Sequence, residues 1–270
     1  MNGQPLVIAA REGATATLIL NRPAKRNAMS DEMLVALNSE LDRALADDAV
    51  RTIVVTGAGE CFTAGRDRKD VGTAGSARVS LADGSLGRTV ELFTDTLRRL
   101  IASPKPTIAA VRGFAFGGGQ AMSLACDFLV AERGARFGNV EITYGFPAAL
   151  NAVLLMRHLG RRRALEIAMT GEVHTAESWH AFGLVNRLAE PGGLEQATTA
   201  FAEILNGNAP WAVRRTKSLM LAAEDAPLAD GMTLGGQLNQ LLRLDADRSD
   251  LYKDADRARA RIQEKLGRKG

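Results

Sequence analysis

At 270 residues, with 46% hydrophobic and 24% charged side chains, the chain has the length and composition of one large globular domain, or of one domain with an appendage, and enough apolar surface for a sizeable core. Its 34 Lys and Arg against 31 Asp and Glu leave a formal net charge of +3, too even a balance to imply a nucleic-acid partner, although a few placed bases suffice for an anionic small molecule. Two cysteines, Cys61 and Cys126, build no disulfide framework and point to a reducing compartment; no cationic segment precedes an apolar run at the N-terminus and no apolar stretch reaches the ~18 residues that span a bilayer, so a cytoplasmic protein without a membrane partner is expected.

Residues 6–10 and 16–20 are apolar runs around Glu12-Gly13, which predicts a β-hairpin that Pro23 ends. Past the basic loop Lys25-Arg26-Asn27, Ser30 is placed as an N-cap, Asp31 and Glu32 complement the helix dipole, and Leu34, Leu37, Leu41 and Leu45 share one helical face. The β-branched residues 51–56, bounded by Gly57 and Gly59, predict a buried strand. Residues 72–87, rich in Gly, Ser and Ala, predict a mobile loop. A helix over about 89–102 follows, with Val90, Phe93, Leu97, Leu100 and Ile101 facing inward, and stops before Pro104. Residues 107–111 predict another strand. It feeds Gly113-Phe114-Ala115-Phe116-Gly117-Gly118-Gly119 and an apolar helix that begins near Gln120, and a third strand is expected over 126–131. This alternation predicts an α/β architecture. Beyond Gly183 the chain reads as mostly helical, over 194–205, 211–223 and after Thr233, and the base-rich tail past Leu244 is suited to packing across subunits.

The triple glycine Gly117-Gly118-Gly119 fits neither the G-x-G-x-x-G dinucleotide pattern nor a P-loop. A lone glycine run is ordinarily a turn or a close packing point. The alternative is an array of unencumbered N–H groups at a helix N-terminus, an environment suited to a developing oxyanion. His158, His174 and His180 lack metal-ligand spacing, no Gly-x-Ser-x-Gly elbow occurs, and neither cysteine carries an activating motif. Arg161-Arg162-Arg163 reads as a solvated face. Glu141 lies between Phe137-Gly138 and Ile142-Thr143-Tyr144; an apolar neighbourhood would desolvate its carboxyl and raise its pKa toward the range useful for proton transfer. By spacing alone, a surface glutamate is the ordinary reading.

Taken in order, Phe62-Thr63-Ala64-Gly65-Arg66-Asp67, Lys105-Pro106-Thr107, the triple-glycine segment, Ala125-Cys126-Asp127 and Phe137-Gly138-Asn139-Val140-Glu141 resemble the crotonase family, the enoyl-CoA hydratase/isomerase superfamily. The resemblance runs from about residue 6 to the C-terminus and includes Leu20-Asn21-Arg22-Pro23 and Ala181-Phe182-Gly183-Leu184-Val185. It implies an α/β fold, a spiral of ββα units over residues 1–204 that carries an acyl-CoA site. A helical region over 205–270 would build homotrimers, often paired into hexamers. It also implies no cofactor beyond the CoA moiety of the substrate and no metal. By the same resemblance, the N–H groups of Arg66 and Gly118 would hold the thioester oxygen, with Gly117 beside them. Lys25 and Arg26 would lie along the CoA nucleotide, with Ala28, Ala64 and Asp67 in the same CoA-binding stretch. Arg66 is bulkier than the small residue common there, and its side chain would narrow the site or reach a phosphate.

Family hydratases generally present two glutamates to one water. Here Glu141 matches the second, while the first position is Ala121. One carboxylate suffices to move a proton between two carbons of a dienolate, so double-bond isomerisation is preferred over hydration. A catalytically idle acyl-CoA binder and a thioester hydrolase are the alternatives. Asp67 and Asp127 are assigned structural roles first.

Overall fold

The computed structural model describes residues 4–67 and 84–244, together with residues 262, 263 and 267. Most of the loop expected at 72–87 therefore lies outside the described residues.

The hairpin forms as its apolar runs dictate: β1 (Val7–Glu12) pairs antiparallel with β2 (Thr15–Leu20), and Gly13 at φ +55° makes the turn. α1 (Asp31–Ala46) starts where Ser30 Oγ accepts from Met33 N–H at 3.3 Å, and it buries Met33, Leu34, Leu37 and Leu41. β3 (Thr52–Gly57) runs parallel to β2. α2 (Ser85–Ala102) begins earlier than its sequence pattern suggests, and its inward stripe corrects one expectation: Val90 is 55% exposed. Thr89 and Thr96 share that stripe with Phe93, Leu97 and Leu100. Their hydroxyls are satisfied there, Thr89 donating to Asp31 at 2.7 Å and Thr96 accepting from Asn38 Nδ2 at 3.0 Å, so burying them carries little penalty.

β4 (Thr107–Val111), β5 (Phe114–Phe116), α3 (Gly118–Ala125), β6 (Phe128–Glu132) and β7 (Arg136–Gly138) follow. Next come α4 (Ala149–Leu159), α5 (Arg161–Thr170), β8 (Val173–Thr175), α6 (Ala176–Ala181), β9 (Arg187–Ala189) and α7 (Leu194–Asn206). Six strands form one sheet in the order β1-β2-β3-β4-β6-β9, parallel from β2 onward, and β5-β7-β8 form a second. Strands β5, β7, β8 and β9 are three residues each, too short for an alternating pattern to show. Among the described residues beyond Gly183, β9 is a short strand within an otherwise helical stretch, as the sequence reading expects of most of it.

The larger sheet is covered on both faces. Leu18, Ile53, Val55 and Ala109 pack with α1, α2 and α3, whereas Val54, Ile108, Ala110 and Val130 pack with Leu194, Phe201 and Ala202 of α7. Two buried faces explain why β3 and β4 read as continuous apolar runs. A cavity of about 440 Å³ remains between α7 and the face of the sheet that presents Thr15, Thr17 and Thr56.

Met1–Asn208 form one compact unit and Ala209–Gly270 another. In the second, α8 (Pro210–Ala223) packs against α9 (Leu228–Leu244), which starts before Thr233. Among the described residues no helix is long and apolar enough to cross a membrane.

Candidate active site

The basic loop and the Ala64–Asp67 segment are joined by a short main-chain ladder. Ala64 N–H donates to Arg26 O (2.9 Å), Met29 N–H to Gly65 O (2.8 Å) and Asp67 N–H to Met29 O (2.9 Å). Asn27 holds the loop in place. At φ +53°, it accepts from Arg22 N–H through Oδ1 and donates through Nδ2 to Ala58 O and Cys61 O, while its carbonyl accepts from Thr63 Oγ. A fully buried Asn in a left-handed turn is tolerable because its amide replaces the missing main-chain partners. Lys25 and Arg26 are thus exposed beside the segment that carries Arg66, with Ala28 half-buried and Ala64 exposed between them.

The parallel bridge between Met29 and Arg66 uses the peptides on either side of Arg66, so the Arg66 N–H points away from Met29. It points toward the glycine segment, where a Cβ on Gly118 would stand 3.2 Å from Arg66 N. Reciprocally, a Cβ on Gly65 would stand 3.1 Å from Gly118 N and 2.7 Å from Phe116 O. Main chain meets main chain here, and only glycine permits it. Neither the Arg66 nor the Gly118 N–H is spent on an acceptor among the described residues.

The Arg66 side chain turns elsewhere. Its guanidinium forms an ion pair with Asp31 at the start of α1, donates to Met29 O at 2.8 Å, and lies 5.5 Å from the Phe93 ring centroid on α2. The expectation that it reaches a phosphate is corrected: it is committed to the fold. Asp67, placed in the CoA-binding stretch by sequence, pairs with Arg22 at 3.0 Å. Asp127 accepts from Thr107 N–H and Oγ at 2.8 and 3.0 Å, tying the end of α3 to β4.

Gly117, at φ +51°, precedes α3, and its N–H donates to Gly138 O at 3.0 Å. A Cβ at this position would come 2.4 Å from Glu141 Oε1, so the Glu141 carboxyl lies directly on the Gly117 α-carbon. Glu141 sits in a 3-10 turn over Val140–Tyr144; burial pushes its carboxyl up from the ordinary range, and its own main-chain N–H opposes this more weakly. Its Oε2 is buried with no partner among the described residues. Arg66 N–H, Gly118 N–H and the Glu141 carboxyl therefore gather around one glycine turn. Ala121, on the first turn of α3, is 1% exposed and brings no second carboxylate. The 440 Å³ cavity lies elsewhere and is lined by none of these residues.

Asp31, Asn139 and Asn151 also converge on this region, and sequence reading singled out none of them for it. Only Asn27, inside a loop that needed positive φ, carried a local signal.

The family model described as enoyl-CoA hydratase/isomerase matches residues 10–249. The 2,3-dehydroadipyl-CoA hydratase of Escherichia coli K12 is 32% identical over 246 residues, covering 90% of this chain and 92% of that one. The (E)-benzylidenesuccinyl-CoA hydratase of Thauera aromatica is 32% identical over 249 residues, covering 91% and 93%. A crystal structure of an enoyl-CoA hydratase from Mycobacterium smegmatis superposes with a TM-score of 0.85 at 28% identity, covering 94% of this chain and 97% of that one.

Proposed function

The chain belongs to the enoyl-CoA hydratase/isomerase family, and from that premise we propose that it moves a double bond in an enoyl-CoA through a single acid–base group, Glu141. The thioester oxygen binds between Arg66 N–H and Gly118 N–H. The Glu141 carboxylate takes a proton from C2 of a 3-enoyl thioester, and the C–H electron pair passes into the carbonyl to give a dienolate. The same proton returns at C4 as the double bond moves to C2–C3, so the step balances with the acyl-CoA alone. A main-chain donor aimed at the developing oxyanion contributes about 2.7–4 kcal/mol. Lys25 and Arg26 meet the nucleotide phosphates of CoA, with Ala28, Ala64, Asp67 and Gly117 along the bound thioester.

The observation that carries this reading is the Glu141 carboxyl resting on Gly117, one residue from the Gly118 donor, while Asp31, Asp67 and Asp127 are engaged in the fold. The names of the relatives favour a second reading, hydration across C2–C3. With Ala121 in place of a second carboxylate, it requires another group to hold the water. The reading extends to a cytoplasmic homotrimer or dimer of trimers, assembled through the C-terminal helices.

Turnover of crotonyl-CoA and of a 3-enoyl-CoA, measured in wild type and Glu141→Gln, is the test. Isomerisation falling about 10²- to 10⁴-fold in the variant, with KM little changed, is expected. Undiminished turnover removes Glu141 from the reaction; binding without turnover marks an idle binder, and release of CoA thiol marks a hydrolase.

A further inference from the structure

We infer that Asn151 is a positioning residue that aims the Gly118 N–H and locks the glycine turn to the Glu141 segment, an inference that rests on the reading just given. Gly117 C=O and Gly118 N–H belong to one planar peptide and point in opposite directions, so whatever grips the carbonyl sets the direction of the donor. With glycine on both sides, that peptide plane has little intrinsic preference of its own.

Two groups grip the carbonyl. Ala121 N–H donates to Gly117 O at 3.1 Å as part of the first turn of α3, and Asn151 Nδ2, from α4, donates to it at 2.9 Å. The other Nδ2 hydrogen of Asn151 goes to Asn139 Oδ1 at 3.0 Å, and Asn139 Nδ2 continues to Ala168 O at 3.2 Å. The chain of donors fixes both amides. Ala168 O accepts only, which demands Nδ2 of Asn139 there, turns Asn139 Oδ1 toward Asn151 and leaves Asn151 Nδ2 to serve both acceptors.

Asn139 lies two residues before Glu141, and Ile142 N–H donates back to its carbonyl at 3.4 Å. One buried amide therefore links the peptide that carries the oxyanion donor to the segment that carries the acid. Asn151 is 3% exposed, and its Oδ1 is buried with no partner among the described residues. An apolar side chain of similar size removes that unsatisfied acceptor, and the same holds at Asn38, whose Oδ1 is likewise buried with no partner among the described residues.

The experiment compares Asn151→Leu with Asn38→Leu. Asn38 is a buried amide at the α1–α2 contact, bonded to Thr96 and outside the site, so its loss serves as a stability control. Asn151→Leu is expected to lower kcat for 3-enoyl-CoA isomerisation by about 10- to 100-fold, with KM changed less than about twofold. It should also weaken the ultraviolet enolate band of bound acetoacetyl-CoA, which reports the oxyanion donors directly. Asn38→Leu, with a comparable loss of Tm, should move neither readout. Wild-type kcat and enolate band in Asn151→Leu, or equal losses in Asn38→Leu, would overturn the inference. Should Asn151→Leu not fold, Asn151→Ser keeps one donor and enters the same comparison, with an intermediate kcat expected and a wild-type kcat counting against. Loss of turnover in Glu141→Gln beside wild-type kcat in Asn151→Leu sinks this inference alone; full turnover in Glu141→Gln sinks it together with the reading beneath it.

Discussion

The two flanks of the glycine turn differ in whether charge takes part in holding them. On the Arg66 side charged braces join the Asn27 amide: guanidinium to Asp31, Asp31 to Thr89, Arg22 to Asp67. On the Glu141 side they are neutral amides, Asn139 and Asn151, and no ion pair among the described residues includes Glu141. The difference follows from what each flank presents. A main-chain N–H does not titrate, so a nearby ion pair fixes its position without altering it. A carboxyl is altered by any neighbouring charge, and a cation beside Glu141 would pull its pKa down and undo what burial has raised.

The largest effect is expected where the flanks meet. Gly117→Ala drives a methyl into the Glu141 carboxyl and forces a side chain onto φ +51°, so turnover should fall about as far as deleting the acid, roughly 10²- to 10⁴-fold, with a lowered Tm. Retention of more than a tenth of the activity would mean, as a rough threshold, that acid and donors tolerate independent movement. Next, Arg66→Met keeps the N–H and removes the charged brace. A loss of about 1–3 kcal/mol in denaturant unfolding, with a smaller fall in kcat than for Gly117→Ala, separates the architectural side chain from the main-chain donor.

The neutral flank sets the pH behaviour. In isomerisation Glu141 must be ionised to act, so kcat should fall as pH drops through a value above the ordinary carboxyl range near ~4.3. An acid limb at the ordinary value would show the flank to be wet. The smallest effect is on stability. A folded-state carboxyl pKa above the unfolded one means the native state binds more protons between the two values, so stability falls as pH rises through that window. Glu141→Gln removes this penalty, and its Tm should exceed that of wild type at about pH 8, with the gain shrinking as pH approaches about 4.

Much of this was legible in the sequence. The Ser30 cap, the leucine face of α1, the strands of the large sheet other than β9, the glycine turn and Glu141 all carry local signals, and family resemblance gives Arg66 and Gly118 their expected place. What escaped was non-local or too short to show. Strands of three residues leave no period, Val90 gave way to threonines whose hydroxyls found partners on α1, and the Arg66 guanidinium chose an aspartate that no spacing rule pairs with it. The task of Asn151 depends on a carbonyl 34 residues earlier in the chain, and an asparagine in a helix reads the same whether or not it has one.

The donor at position 66 is a group that nineteen of the twenty amino acids possess. Evolution or an engineer can rewrite that side chain to tune shape, rigidity or reach without ever subtracting the hydrogen that the proposed reading lends to the thioester. Proline alone withholds it. The arginine found here is one setting of an adjustable part, spent on bracing the frame.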